Sequence, residues 1–262
     1  MATDRSPASS GSEPPVTLWG RLLGEGLVLA AIVGWWLLSL GLPDYIIPSP
    51  WQVVEGVYSL FFDPVKAEHT LISTLRVLGS VVVATALGGA LALLPRWFGF
   101  TDLIVHQRIQ PFLSSFPSAG WAILGIIWFG NSTPSVMFVQ VAILTPFCLV
   151  NVAEGLRELD RELIEMGTSF TRARRRVFFK LVVPLLAPYV MAAVRIAYGV
   201  GWKIALVSEL FGADRGLGFL MLEAQILSDA TTVFSTCFAI VLIFILGERL
   251  IINPLTRLAA NP

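Results

Sequence analysis

Residues 77–94 read VLGSVVVATALGGALALL, eighteen positions in a row without a charged side chain. An α-helix rises about 1.5 Å per residue, and about 20 mostly apolar residues cross the roughly 30 Å hydrocarbon core of a bilayer. A run of this kind is read as membrane-spanning. The rest of the chain agrees: of 262 residues, 55% are hydrophobic and 14% charged, whereas an ordinary soluble domain is about 25% charged. A water-soluble globule of this length cannot hide so much apolar surface. Eighteen basic residues balance eighteen acidic ones, so no global pull draws the chain to nucleic acid, and none is expected as a partner. Cys148 and Cys237 lie in apolar runs, and His69 and His106 are far apart, which excludes a disulfide framework or a zinc cluster.

Six spans are predicted, over 27–42, 71–94, 103–129, 134–153, 184–207 and 232–252. The first is apolar enough for a signal-peptide core. It is followed by Pro43-Asp44-Tyr45 rather than a small-residue cleavage site, so it is read as an uncleaved span. Pro111 and Pro117 interrupt the third, and such breaks are tolerated where neighbouring helices satisfy the freed backbone groups. Residues 1–17, rich in Ser, Pro and Gly, read as a disordered cytoplasmic tail, and 18–262 as one all-α, polytopic membrane domain. With the N-terminus inside, thirteen of the eighteen Lys and Arg residues fall on the cytoplasmic side and two, Lys66 and Arg215, outside. This asymmetry places both termini in the cytoplasm. Outside, 43–69 holds an amphipathic helix capped at Ser49-Pro50, and 208–231 a Gly-rich turn feeding another amphipathic stretch. Each suits packing at the membrane interface or contact with a substrate.

The segment 154–183 is neither long nor apolar enough to span. Its acidic residues, Glu154, Glu158, Asp160, Glu162 and Glu165, precede its basic ones, Arg172, Arg174, Arg175, Arg176 and Lys180, an order that suits the helix dipole. Leu156, Leu159, Leu163, Ile164 and Met166 recur at roughly helical spacing and predict an apolar stripe on a charged helix. Thr171, or alternatively Ser169, is the candidate cap of a second helix running into the fifth span. A short amphipathic helix on the cytoplasmic side is a handle for a partner protein, and a solvated loop obeying the positive-inside rule is the alternative.

Aligned backwards from Pro184, this segment resembles the E-A-A loop of ABC importer permeases. Glu165-Met166-Gly167 falls on the E-A-A positions, Thr171 on the family's glycine and Leu181-Val182-Val183-Pro184 on its aliphatic-x-Leu-Pro ending. Met166-Gly167 thus replaces two alanines, and Thr171 replaces a glycine. Other pieces are similar too: Pro48-Ser49-Pro50 before a helix, Ser73-Thr74-Leu75-Arg76-Val77, Phe116-Pro117 with Ile127-Trp128-Phe129-Gly130, and Arg195-Ile196-Ala197 followed by Glu209-Leu210-Phe211-Gly212-Ala213 and Gly216-Leu217-Gly218. They cover roughly 43–252 and resemble the nitrate, sulfonate, taurine and bicarbonate branch of binding-protein-dependent importers.

The resemblance implies a type I importer fold, working as two membrane subunits, commonly a homodimer, in the bacterial inner membrane. Each subunit docks on a cytoplasmic ATPase dimer through the loop, so Glu162, Leu163, Glu165, Met166, Gly167, Thr171 and Pro184 become the coupling residues. A solute-binding protein delivers substrate from outside. The chain holds no G-x-x-x-x-G-K-[ST] phosphate cradle, so it is not expected to be an enzyme or to bind a cofactor, ATP and Mg being used by the partner. The competing class, a stand-alone secondary carrier, usually shows inverted repeats, and none is visible in this sequence.

Charges inside spans cost about 2.5–3.5 kcal/mol each at mid-depth, so Arg76, Arg195 and Lys203 need reasons. Arg195, Trp202 and Glu209 are spaced by seven, which predicts one helical face turned to the bundle interior. Two readings stay open for the cations: a path that attracts an anion, or interhelical hydrogen bonding with snorkelling. Arg76, Arg195, Trp202, Lys203 and Glu209 are the candidate translocation-path residues, and Lys203 is the one tied most directly to substrate. The expected cargo is a small anion such as a sulfonate or taurine, nitrate, bicarbonate or an aromatic carboxylate, with a neutral vitamin precursor as the alternative.

Overall fold

A computed structural model describes residues 18–159, 165–167, 169 and 173–260. The tail over 1–17 lies outside them, as do Glu162, Leu163 and Thr171. Among the described residues the chain is helical throughout, with no strand. The elements are α1 (Leu18–Gly41), α2 (Pro50–Phe62), α3 (Pro64–Trp97), α4 (Thr101–Ser115), α5 (Ser118–Phe129), α6 (Thr133–Glu158), α7 (174–212), α8 (Leu217–Ile226) and α9 (230–260). Helices α1, α3, α6, α7 and α9 are each long and apolar enough to cross a membrane.

The third predicted span is α4 and α5 together, bent by 86°. Phe116 and Pro117 make the bend, both extended at ψ 128° and 136°, because the residue before a proline avoids helical dihedrals. The contacts of its two ends show that the pair crosses rather than turning back. The start of α4, at Asp102 and His106, shares a cleft with Pro95 and Arg96 at the end of α3 and Arg157 at the end of α6. After α5, the Ser132 N–H donates to the carbonyl of Gly212, the last residue of α7, at 3.0 Å. Arg76 in the first half of α3 bonds Thr133 at the start of α6, so this second set of contacts marks the opposite end of the bundle.

Three helices carry one widened π-helical turn each, at Val105–Ile109, Phe178–Val182 and Glu248–Ile252. Each turn ends two residues ahead of a proline: Pro111, Pro184 and Pro254. A proline has no N–H and its ring clashes with the carbonyl four residues back, and in all three cases that carbonyl belongs to the widened turn. Pro146 and Pro188 sit inside α6 and α7 without such a turn.

The core is the α3–α6–α7 seam. Helices α3 and α6 run parallel, Arg76 meeting Thr133 and Thr85 meeting Cys148. Helix α7 runs against them, with Gly201 beside Val77, Val81 and Leu144. Gly88 lets α3 and α6 touch: a Cβ there would lie 2.7 Å from both Cys148 Cβ and the Leu149 backbone nitrogen. Small residues at such crossings are how membrane helices gain packing contact. Since a backbone atom cannot step aside as a side chain does, Gly88→Val is expected to lower stability by about 1–3 kcal/mol. Thermal unfolding of the purified chain in detergent reads this, and an unchanged midpoint would contradict the close crossing.

Helix α2 is the amphipathic segment foreseen after Ser49-Pro50. Its N-terminus is a reciprocal cap, in which the Ser49 hydroxyl accepts from the Gln52 N–H at 3.3 Å and Gln52 Oε1 accepts from the Ser49 N–H at 2.7 Å. Val53 and Leu60 are buried, and Ser235 of α9 donates to the Val53 carbonyl at 3.2 Å, so α2 packs on α9. Helix α1 is almost wholly exposed. Trp35 anchors it, its Nε1 donating to the Pro48 carbonyl at 3.0 Å and its ring stacked 5.7 Å from Phe238.

Candidate functional site

Two regions of the bundle collect the residues singled out from sequence. The first is a buried polar knot at the end where α7 turns into α8. Helix α7 carries Glu209, 1% exposed, and α3 carries Ser73 and Arg76 three residues apart, hence on one face. Ser73 Oγ donates to the Glu209 carboxylate at 2.7 Å, Arg76 Nη1 at 3.1 Å and the Gly218 N–H at 3.0 Å. Ser73 Oγ in turn accepts from the Leu217 N–H at 2.8 Å. The Arg76 guanidinium also donates to the Arg215 carbonyl at 2.5 Å and to the Thr133 hydroxyl at 2.7 Å. Gly216 has φ +122°, and its Cβ position would fall 2.5 Å from Glu209 Oε2. Only glycine both adopts that backbone and clears the carboxylate. His69 Nδ1 accepts from the Gly216 N–H at 3.0 Å, which fixes the neutral acceptor nitrogen on that side of the ring.

Arg76 is 3% exposed and ion-paired with Glu209, the arrangement that the interhelical hydrogen-bonding reading calls for. The seven-residue stripe is corrected. Trp202 and Glu209 are buried as predicted, but the Arg195 side chain is 58% exposed and donates to Glu248 Oε1 of α9 at 2.7 Å. A straight helix drifts by about 20° per heptad, and two heptads bring Arg195 round to the edge of the buried face. Lys203 is exposed and lines, with Arg195, Gly199 and Leu206, a cleft of about 660 Å³ between α7 and α9. Of the three intramembrane cations it is the one without an ion pair among the described residues.

The second region is the connection between α6 and α7, at the end of the bundle that carries Arg96, Arg157 and Arg175. Helix α6 continues to Glu158, so Leu156 belongs to its last turns and packs on the main core. Leu159, where the helix stops at ψ 122°, is buried with Val182 and Leu186. These two members of the predicted apolar stripe face inward: they lock the ends of α6 and α7 together, helped by the Tyr189 hydroxyl donating to Glu158. Residues 165–167 are helical, with Glu165 and Met166 exposed. Gly167 faces inward, its Cβ position 2.9 Å from Leu181 Cδ2, so the segment rests on the widened turn before Pro184. Ser169 does not cap α7. Its hydroxyl donates back to the Glu165 carbonyl at 2.9 Å, and α7 begins at Arg174.

Sequence reasoning missed Ser73, Thr133 and Glu248 as partners of the charged residues, and His69 as the acceptor for the Gly216 N–H. Ser73 and Arg76 stand in one quoted motif and Glu209 in another, but nothing in a single sequence pairs positions 133 residues apart.

Comparison with known proteins places this geometry. Residues 84–251 match the family described as binding-protein-dependent transport system inner membrane component. The chain is 30% identical over 247 residues to the putative aliphatic sulfonates transport permease protein SsuC of Escherichia coli, covering 89% of each chain. It is 28% identical to the taurine transport system permease protein TauC of the same organism, over 77% of this chain and 76% of that one. It is 31% identical to the formylaminopyrimidine transport permease protein ThiX of Halalkalibacterium halodurans, over 78% and 80%. The chain belongs to the family of binding-protein-dependent transport system inner membrane components, as an ABC importer permease of the branch that holds the taurine and sulfonate permeases.

Proposed function

We propose that this chain is the translocating subunit of an importer for a small organic or inorganic anion, sulfonates and taurine first among them. Two copies form the path in the bacterial inner membrane with both termini cytoplasmic, a solute-binding protein delivers cargo from outside, and a separate ATPase dimer uses ATP and Mg. The observation that carries the reading is the segment 165–167. It turns Glu165 and Met166 outward and seats Gly167 on Leu181 of α7. A push on it passes to α7 through that seat, and to α6 through Leu159 on Val182 and Leu186. Rigid-body motion of packed helices is an ordinary way to switch access. Glu162, Leu163 and Thr171 complete the docking segment, and Pro184 sets the widened turn on which it rests.

The anion reading rests on Lys203, because Arg76 and Arg195 are each neutralised by a glutamate. Lys203 faces the cargo, while Arg76, Glu209, Trp202 and Arg195 shape the wall behind it. The names of the sulfonate and taurine relatives support the same choice. A neutral pyrimidine is the second reading, favoured by the likeness to the formylaminopyrimidine permease.

The test is reconstitution in liposomes with the ATPase and binding protein, recording ATP hydrolysis and uptake for sulfonates, nitrate, bicarbonate, aromatic carboxylates and neutral pyrimidines. Stimulation by one anion is expected, with Lys203→Ala lowering its uptake about tenfold, or ~1.4 kcal/mol. Stimulation by a neutral pyrimidine alone would overturn the anion assignment.

A further inference from the structure

The ends of α3, α4 and α6 meet around a cleft of about 270 Å³ that none of the transport steps above uses. Its rim carries Arg96, His106 and Arg157 against a single carboxylate, Asp102. Both arginines are exposed, and neither has an ion-pair partner among the described residues. Asp102 is engaged on His106 instead, its Oδ1 3.7 Å from Nε2, while His106 Nδ1 lies 3.1 Å from Gln110 Oε1. One carboxylate cannot balance two guanidinium groups on a concave surface, so the cleft is short of negative charge.

Its depth is equally telling. Phe98, Phe100, Leu103 and Ile104, all exposed, flank it, so it opens where the apolar belt of the bundle gives way to charge. Farther along the same two helices lies a second, mostly apolar cleft of about 440 Å³, lined by Leu113 and Phe116 on one side and Ile143, Phe147 and Val150 on the other. Val150 stands one helical turn from Ala153 in the wall of the charged cleft. A charged head with an apolar groove beside it is the outline of a phospholipid.

We infer that the Arg96–His106–Arg157 cleft binds a phosphate group, carried by the head of an anionic phospholipid whose acyl chain lies along the α4–α6 groove. The guanidinium forks of Arg96 and Arg157 donate to the phosphate oxygens, a geometry that suits arginine, and His106 borders the same oxygens. Basic clefts between helix ends are a recognised way to hold lipid head groups. Free phosphate is the other source of the same chemistry.

The test is native mass spectrometry of the full chain in detergent, titrated with phosphatidylglycerol, phosphatidylcholine or inorganic phosphate. One tightly retained phosphatidylglycerol per chain is expected, with phosphatidylcholine held far more weakly. Arg96→Gln/Arg157→Gln should weaken phosphatidylglycerol about 30-fold, two cations at about 1 kcal/mol each. Arg249→Gln/Arg257→Gln removes the same charge from α9, outside the residues that line the cleft, and should change retention less than about twofold. Asp102→Asn removes the competing carboxylate and should tighten retention, a gain that no folding defect imitates. If inorganic phosphate displaces phosphatidylglycerol at equal concentration, the site stands and its source is the free anion. Equal loss in both double variants, or no gain in Asp102→Asn, would overturn the built site and leave only diffuse surface attraction.

Discussion

Arg76→Met is expected to cost about 3–5 kcal/mol of stability, because it leaves the Glu209 carboxylate buried without its cation. The geometry sets the magnitude. Glu209 and Arg76 are 1% and 3% exposed, so water cannot replace the lost partner, and the arginine also holds Thr133 and the Arg215 carbonyl. The Glu68–Arg215 pair nearby is a useful contrast. It is shorter, at 2.6 Å against 3.1 Å, but its side chains are 53% and 58% exposed, and breaking it should cost under about 1 kcal/mol. Double replacement discriminates charge from shape. In Arg76→Met/Glu209→Gln the amide oxygen still accepts from the Gly218 N–H and Ser73, and the one charge left there is Asp214, 57% exposed and 3.7 Å from the guanidinium it loses, so most of the loss should return. Thermal unfolding of the four proteins in detergent completes the cycle. If the double variant is no more stable than Arg76→Met, the cost lies in packing around Thr133 and not in a stranded carboxylate.

Local signals in the chain were legible where one side chain or one dihedral decides the outcome. Ser49 before Pro50 starts α2, Pro117 bends the third span at Phe116, and the long apolar runs become α3, α6 and α7. Tertiary partners were not legible. Arg76 and Arg195 carry the same charge, yet Arg76 pairs in the interior with Glu209 and Arg195 at the edge with Glu248. Periodicity puts Arg195 on the buried face because it assumes an even heptad, and the true repeat drifts. The end of α6 is a second case. Leu156 and Leu159 have the spacing of an amphipathic docking helix, but the same spacing serves a helix that simply continues and buries its last leucines on Val182 and Leu186. Where an apolar stripe points is settled by what lies beside it. Gly167 shows the reverse: it stands where the quoted motif has alanine, and a Cβ there would lie 2.9 Å from Leu181 Cδ2, so the close seat on α7 is one the glycine itself allows.

Glu165→Lys is expected to abolish solute-stimulated uptake while leaving the chain inserted and folded. Glu165 is exposed on the helical segment 165–167 and stands outside every span, and an exposed charge with the contacts it makes there is worth under about 1 kcal/mol of stability. The loss belongs to docking. Reversing a charge at a protein interface replaces an attraction by a repulsion, and truncating one partner of a buried charged contact alone costs about 2–5 kcal/mol, enough for a more than tenfold fall in retained ATPase. Glu165→Gln should fall between the two, because an amide keeps the shape and an acceptor oxygen but not the charge. The order expected in co-purification with the ATPase is therefore wild type, then Gln, then Lys, with the same thermal midpoint for the isolated chain in all three. An Arg76→Met chain would invert that pattern, losing stability before it loses the partner, so the two variants separate the knot that holds α7 in place from the segment through which α7 is pushed. Normal uptake by Glu165→Lys would remove the docking role from 165–167 and leave that segment as a connector between α6 and α7.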